Sequence, residues 1–384
     1  MTTVQQHIEI THRFYQAKKA LFEEMVAHLL IEYTALYMPV RMVFFGAPMD
    51  NREYVAQFAY LKKTVRGHFG DACPVVSYVA QPVDTDGMAL EVHEVVLTGE
   101  DTVSYRKYAG ISYIAVERIG CRRLFLGGVT GDVLHWNIRE QADDVFARIR
   151  QVIDAERIPV SAIIRQWNYI EKITDCDNAG HQHYQDFNDA RSQFYAGVEW
   201  STGYPAATGI GTRWGGIMID MDLLLCEDGT VFMAGVNNPL QVAAHAYSQQ
   251  VLLGRTALQV RTTPKFERAK AVWKDDHGFV YISGTAAIRG EKSLEGVGIE
   301  EQTLATLENI EYLVSGNNLR QTGIPVTGDA GLINFRVYVK YRADMEKARK
   351  VIESRYPELP VIYTLTDVCR SELLIEIEGM GLLR

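Results

Sequence analysis

Pro360-Val-Ile-Tyr-Thr-Leu-Thr-Asp367 runs through the turn Val368-Cys-Arg-Ser-Glu372 into Leu373-Leu-Ile-Glu-Ile-Glu378. A proline opens a short β-branched and aromatic run, a polar turn follows, and a second run alternates apolar with acidic residues. That alternation is the period of two of a strand with one apolar face and one wet or site-facing side. The same plan recurs at Pro74-Val-Val-Ser-Tyr-Val-Ala-Gln81, Asp84-Thr-Asp-Gly87 and Met88-Ala-Leu-Glu-Val-His-Glu94. It recurs again at Pro205-Ala-Ala-Thr-Gly-Ile-Gly-Thr212, Trp214-Gly-Gly216 and Ile217-Met-Ile-Asp-Met-Asp222.

The later two copies also share their upstream halves. Arg123-Leu-Phe-Leu-Gly-Gly128 parallels Phe279-Val-Tyr-Ile-Ser-Gly284, each a short strand ending in glycine. Helices are expected over Ile138–Ile149 and Ile299–Ile310, which share an I-x-E-Q start and apolar residues three and four apart. Strands are expected at Ser161–Tyr169 and Leu332–Tyr341, with further helices near Asn188–Tyr195 and Met345–Tyr356. The order strand, helix, strand, helix, strand, strand is written twice, and the first copy, from Arg41, retains only the later half. An internal repeat of this kind sets domain organisation. The expectation is an α+β chain of related lobes: a partial first lobe over 1–112, a middle lobe over 113–235, a crossover over 236–274 and a last lobe over 275–384.

With 384 residues, 47% hydrophobic and 23% charged, the chain is too long for one ordinary core and too apolar for disorder. The apolar stretch Leu29–Met49 is interrupted by Glu32 and Arg41, so no membrane span is expected. No basic, then apolar, leader opens the sequence, and a cytoplasmic location is expected. Net charge is −9 without long basic runs, which argues against nucleic acid while leaving room for a locally positive pocket. Cys73, Cys121, Cys176, Cys226 and Cys369 are odd in number and widely spaced, so each is read as a buried or site-lining thiol. His181-Gln-His183 lacks a third ligand at sensible spacing. Gly209-Ile-Gly211 lacks a third glycine and a following helix. Neither a metal nor an organic cofactor is expected.

Ile282-Ser-Gly-Thr285, Ile299-Glu-Glu-Gln-Thr303, Leu307-Glu-Asn309, Val337-Tyr-Val339 and Leu374-Ile-Glu-Ile-Glu378 resemble the YjgF/RidA superfamily. That resemblance implies chorismate-mutase-like repeats, mixed sheets each backed by two helices, and a pseudo-trimeric arrangement within one chain, either as a monomer or in a homo-oligomer. Its imine-deaminase members place an arginine just after the proline of the proline-led strand; here Pro360 precedes Val361 and Pro205 precedes Ala206. A narrower likeness rests on Trp167-Asn-Tyr169, Tyr184-Gln-Asp-Phe-Asn188, Arg191, Pro205–Gly211, Asn238-Pro-Leu-Gln-Val242 and Asp367–Glu378, which resemble the chorismatases. These relatives of the YjgF fold release pyruvate from chorismate. The likeness leaves the first forty residues unexplained.

The resemblance implies that Glu376 is the acid that protonates the enolpyruvyl methylene. Glu376 and Glu378 share a strand face, so either one can be the residue that points into the site. Burial would raise the pKa of the acid toward neutrality. A cysteine at Cys369 is what the resemblance associates with 3-hydroxybenzoate, as opposed to a dihydrodiol. For the substrate carboxylates the first candidate is Arg191, followed by Arg165, Arg213, Tyr184 and Tyr204. Gly284 and Thr285 are candidates for backbone N–H donors, and the small residues through Ala286 set how the ring sits. Two other readings stand beside this one: a RidA-like enamine deaminase, and a non-catalytic YjgF-like module that binds a small acid.

Overall fold

The computed structural model describes residues 10–177, 180–227, 229, 231–248 and 262–384. The first lobe runs β1 (Ile10–Ala17), α1 (Phe22–Glu32), β2 (Met38–Phe45), α2 (Asn51–Phe69), β3 (Val75–Val79) and β4 (Met88–Val95). The second begins with two further strands, β5 (Thr102–Tyr108) and β6 (Ile111–Arg118). It then repeats the series as β7 (Cys121–Thr130), α3 (Ile138–Ala155), β8 (Ile163–Glu171), α4 (His183–Phe194), β9 (Ala206–Thr212) and β10 (Ile217–Cys226). The third lobe opens on β11 (Phe232–Val236), β12 (Ala269–Lys274) and β13 (His277–Ala286), with a small hairpin of β14 (Ile288–Arg289) and β15 (Lys292–Ser293). It closes through α5 (Ile299–Leu313), α6 (Gly316–Gln321), β16 (Gly331–Val339), α7 (Met345–Arg355), β17 (Val361–Leu365) and β18 (Ile375–Leu383).

The sheets have the orders β1-β4-β2-β3, β5-β6-β7-β10-β8-β9 and β11-β12-β13-β18-β16-β17. Their last four positions carry one topology three times. In each, the strand pair joined through a helix (β2–β3, β8–β9, β16–β17) is parallel, and the return strand pairs antiparallel. The first copy is therefore whole: β1 and α1 supply the half that the sequence reading left out. Ile-Thr-His-Arg-Phe-Tyr-Gln-Ala over β1 mixes polar and apolar residues too evenly to show a period. Two boundaries also move. β5 and β6 pair into the second sheet, although the first lobe was expected to reach 112, and β11 and β12 join the third sheet. Within the expected crossover, residues 249–261 lie outside the described residues.

Local chemistry accounts for the elements. α3 starts where the Asn137 side chain accepts from Glu140 N and Glu140 reaches back to the Asn137 N–H, a reciprocal cap. Its buried Ala142, Val145, Phe146, Ile149 and Ile153 recur at three and four residues and pack on β10. α2 is capped by Asp50, which accepts from Glu53 N at 2.8 Å.

In β10, Ile217, Ile219, Met221 and Leu223 face the helices, while Met218 and Leu224 enter a core shared by all three sheets. The acidic face of each alternating strand is turned inward, not toward water: Glu91, Asp220, Asp222, Glu376 and Glu378 are all buried. Arginines meet these carboxylates there. Arg41 Nη2 lies 2.8 Å from Asp222, Arg336 Nη2 lies 2.6 Å from Glu91, and Arg165 Nη2 lies 2.7 Å from Glu378. A buried carboxylate left unpaired would cost several kcal/mol, so acids and guanidiniums enter this centre together.

Cys121 and Cys226 form a disulfide, correcting the reading of five separate thiols. They lie 105 residues apart, yet the β7–β10 register places them directly opposite each other. Sequence spacing carries no trace of such cross-strand neighbours. Among the described residues, no helix is long and apolar enough to cross a membrane.

Candidate active site

Between the second and third lobes lies a cavity of about 850 Å³. α4 contributes Tyr184 and Asn188 to its wall, β9 contributes Ala207 and Gly209, and the third lobe contributes Gly284, Ala286 and Glu376. The turn that joins β17 to β18 adds Cys369 and Arg370.

The two glutamates of β18 separate cleanly. Glu376 lies on the cavity wall, and a Cβ at position 284 would come 2.0 Å from its Oε1. Glycine at 284 is what allows that close approach. Burial raises the Glu376 pKa to about 8, with the negative charge of Glu378 adding to the effect and Arg268 and Arg165 opposing it. Glu378 does not line this cavity and has its donors already. It takes Arg165 Nη2 at 2.7 Å, Trp167 Nε1 at 2.9 Å and the Thr208 hydroxyl, with Arg336 Nη1 at 3.1 Å. One carboxyl is thus free to hold a proton at the cavity, and the other is a fixed anion behind it.

None of the expected arginines lines this cavity. Arg165 is committed to Glu378 and stacks over Trp167 at 4.5 Å, away from the cavity wall. Arg213 is exposed and lines a different cleft. Arg191, on α4, is buried off the cavity wall, where Nη2 donates to Asn188 Oδ1 at 2.6 Å, Tyr184, Tyr195 and Tyr204 surround it, and burial pulls its pKa down. Tyr204 packs beside Trp200 and Tyr195 without reaching the wall.

In their place stand two arginines that the sequence reading passed over. Arg268 lines the cavity, donates from Nη2 to Val242 O (2.7 Å) and Tyr247 Oη (2.6 Å), and keeps a buried Nε without a partner among the described residues. Arg370 donates to Glu291 O and Ser293 Oγ, and the Tyr247 ring lies within 5.5 Å of both guanidiniums. Arg370 sits beside Cys369 in the quoted turn, a signal that was available. Arg268 lies in the expected crossover, where nothing marked it.

The small-residue expectations divide as well. Gly284 and Ala286 line the cavity, but the Gly284 N–H is already given to Thr208 Oγ1 at 3.1 Å. Thr285 is buried in β13 with its hydroxyl on Ser283 O and is not part of the cavity wall. Cys369 is on the wall, and burial followed by the nearby Glu376 charge pushes its thiol up to about 12. It is a neutral thiol across the physiological range and not a thiolate nucleophile.

A family model described as "Chorismatase FkbO/Hyg5-like, N-terminal" matches residues 99–221, which cover most of the second lobe. A 3-hydroxybenzoate synthase of Streptomyces hygroscopicus is 34% identical over 233 residues, 59% of this chain and 65% of that protein. A chorismatase of the same organism is 32% identical over 224 residues, 57% of this chain and 61% of its own length. The matched stretches therefore span a little under two thirds of those relatives. A chorismatase crystal structure superposes with a TM-score of 0.69 and 23% identity, covering 97% of this chain and 98% of its own. Over these stretches the chain is similar to the chorismatases. The described residues share the fold of that chorismatase structure, as three α+β lobes of one topology in a single chain.

In this chorismatase-like chain, two clusters bring three metal-type ligands together among the described residues. They are His12, Glu91 and His93, and Asp177, His181 and Asp186. In the first, Arg336 takes the Glu91 carboxylate through Nε and Nη2, and Arg41 Nη1 sits 3.0 Å from His93 Nδ1. Guanidinium already supplies the positive charge there. His183, the partner of His181 in the sequence motif, instead turns its Nδ1 toward Glu171 O at 2.8 Å.

Proposed function

We propose that the chain cleaves the enolpyruvyl ether of chorismate to pyruvate and 3-hydroxybenzoate, or to pyruvate and the 3,4-dihydroxycyclohexadiene carboxylate. The observation that carries this reading is the Glu376 carboxyl: on a cavity wall, raised to about 8, and backed by the fixed Glu378 anion. A carboxylic acid still protonated at neutral pH suits an enol ether, whose cleavage begins with protonation of its methylene carbon. That step turns the methylene into a methyl group and leaves an oxocarbenium centre at the ether carbon. Water adding to that centre forms a hemiketal that collapses to pyruvate and the dihydrodiol. Attack by a neighbouring ring hydroxyl leads instead to 3-hydroxybenzoate with no net consumption of water.

Chorismate is a dicarboxylate, and Arg268 and Arg370 are the cations on the wall that suit it. Losing one charged hydrogen-bond partner costs about 1.5–3 kcal/mol, so Arg268→Ala should raise KM for chorismate by about tenfold or more. An unchanged KM in steady-state kinetics would remove Arg268 from the role. The neutral Cys369 thiol fills space beside Glu376 and limits water at the oxocarbenium centre. Replacing it with alanine should raise the dihydrodiol fraction of the product as measured by chromatography. A fixed product ratio would deny it that part.

The reading needs one small-molecule substrate, held in a cavity that two lobes of one chain line. An enamine deaminase lacks support here, since no arginine follows Pro74, Pro205 or Pro360. Purified protein incubated with chorismate, with pyruvate coupled to lactate dehydrogenase, tests the proposal. Steady pyruvate release supports it, while binding without any pyruvate would favour a non-catalytic small-acid module.

A further inference from the structure

A second opening lies where the segments following β3, β9 and β17 meet. These segments bond to one another across the lobes. Arg213 N donates to Ala80 O at 3.0 Å, Gly211 N to Asp367 O at 3.0 Å and Leu365 N to Pro82 O at 2.8 Å. Beside them is a cleft of about 630 Å³ to which all three lobes contribute. None of its lining residues belongs to the Glu376 cavity.

The charge in this cleft is opposite to that of the whole protein. On a chain of net charge −9, Lys172, Arg213, Lys340 and Arg342 line it against a single lining carboxylate, Asp367. Two of these cations are largely occupied. Arg342 holds Asp84 O and the Asp86 carboxylate, and Lys172 lies 3.6 Å from Glu171 and 4.3 Å over the Trp214 ring. The other two have donors to spare. Among the described residues Lys340 Nζ gives one hydrogen bond, to Ser371 O at 2.6 Å; it stands 3.9 Å from the half-exposed Asp367 and 5.6 Å from the Tyr341 ring. An ammonium has three protons to give. Arg213 is exposed and its guanidinium has no partner among the described residues. Thr212 adds a hydroxyl whose oxygen is buried and without a hydrogen-bond partner among the described residues. Like charges gathered on one wall repel one another and are relieved by a counter-anion.

We propose that this cleft binds a small oxyanion carrying two or more charges, through the Arg213 guanidinium and the Lys340 ammonium. A planar guanidinium presents paired donors that match the oxygens of phosphate or carboxylate, and that shared geometry defines the ligand class. Trp214 on the same wall provides a built-in reporter. The inference rests on the cleft alone and stands or falls independently of chorismate cleavage.

Isothermal titration calorimetry of the full chain at low ionic strength, with inorganic phosphate, pyrophosphate and citrate as separate probes, tests it. At least one probe should bind with Kd below about 1 mM, and Arg213→Ala should weaken it by about tenfold or more. Which arm binds tells a phosphate-type ligand from a polycarboxylate. Lys340→Gln is a second variant, with far-UV circular dichroism to confirm folding of both. No heat from any probe up to about 10 mM would overturn the proposal. So would an affinity unmoved by both variants, or one lost in Arg268→Ala while Arg213→Ala keeps it, since the anion would then sit in the Glu376 cavity.

Discussion

Glu376→Gln should leave a folded protein whose pyruvate release from chorismate is reduced by about a hundredfold or more, the usual contribution of a positioned general acid. Glutamine keeps the shape that fits against Gly284 and removes only the transferable proton. The pH dependence follows from the same group. Rate constants should hold at neutral pH and fall above about 8 as the Glu376 proton is lost. The stability effect has a definite sign. A carboxyl whose folded pKa is raised contributes stability that is full below its unfolded value, about 4.3, and is lost as pH climbs through about 8. Wild-type stability should therefore decline over that window, and Glu376→Gln, neutral throughout, should lack this decline. Denaturation midpoints measured across the window check it. A variant with wild-type turnover would place the acid elsewhere.

The largest stability loss is expected at Arg336. Its guanidinium joins all three lobes, donating to Glu91 from Nε (2.9 Å) and Nη2 (2.6 Å) and to Tyr169 Oη at 2.7 Å, with Glu378 3.1 Å from Nη1. Arg336→Met would leave two buried carboxylates without this partner, and removing one member of a buried ion pair typically costs about 3–5 kcal/mol. Arg336, with His12 and His93, holds the Glu91 carboxyl well below the usual carboxylate range despite burial. A depressed carboxylate pKa adds stability above its unfolded value, about 4.3, and loses that contribution as pH falls through the folded one. The gap between wild type and variant in urea denaturation should thus be widest near neutrality and narrow in acid. Adding Glu91→Gln to Arg336→Met should recover part of the loss. If the single variant is as stable as wild type, the central ion network is not what joins the lobes.

The alternating strands were legible because period-two patterning survives whatever packs on either face, as in Leu373–Glu378 and Ile217–Asp222. The destination of their acidic face was not. An acid that alternates with isoleucine looks the same whether water or a guanidinium from another lobe waits for it. That ambiguity also accounts for the arginines. Arg165 sits in an expected strand, two residues before the Trp167-Asn-Tyr169 motif, but Glu378, more than two hundred residues away, claims it. Arg268 sits in a stretch with no motif and reaches the cavity. The first lobe was misread for a related reason: the polar residues of β1 mask its period, and those of β5 are largely exposed at a sheet edge. The Cys121–Cys226 pair became visible only once strand register was known. For the proposed acid, sequence narrowed the choice to Glu376 and Glu378; which one faced the cavity depended on side chains from other strands.

The central claim is that Glu376 delivers a proton to the methylene carbon of the enolpyruvyl group. Turnover of chorismate in D2O tests this directly, with pyruvate trapped at once as lactate and analysed by mass spectrometry. Because a carboxyl on an open cavity wall exchanges with solvent, the expected product carries one deuterium in its methyl group. Pyruvate formed at full rate without deuterium in that methyl would contradict the account.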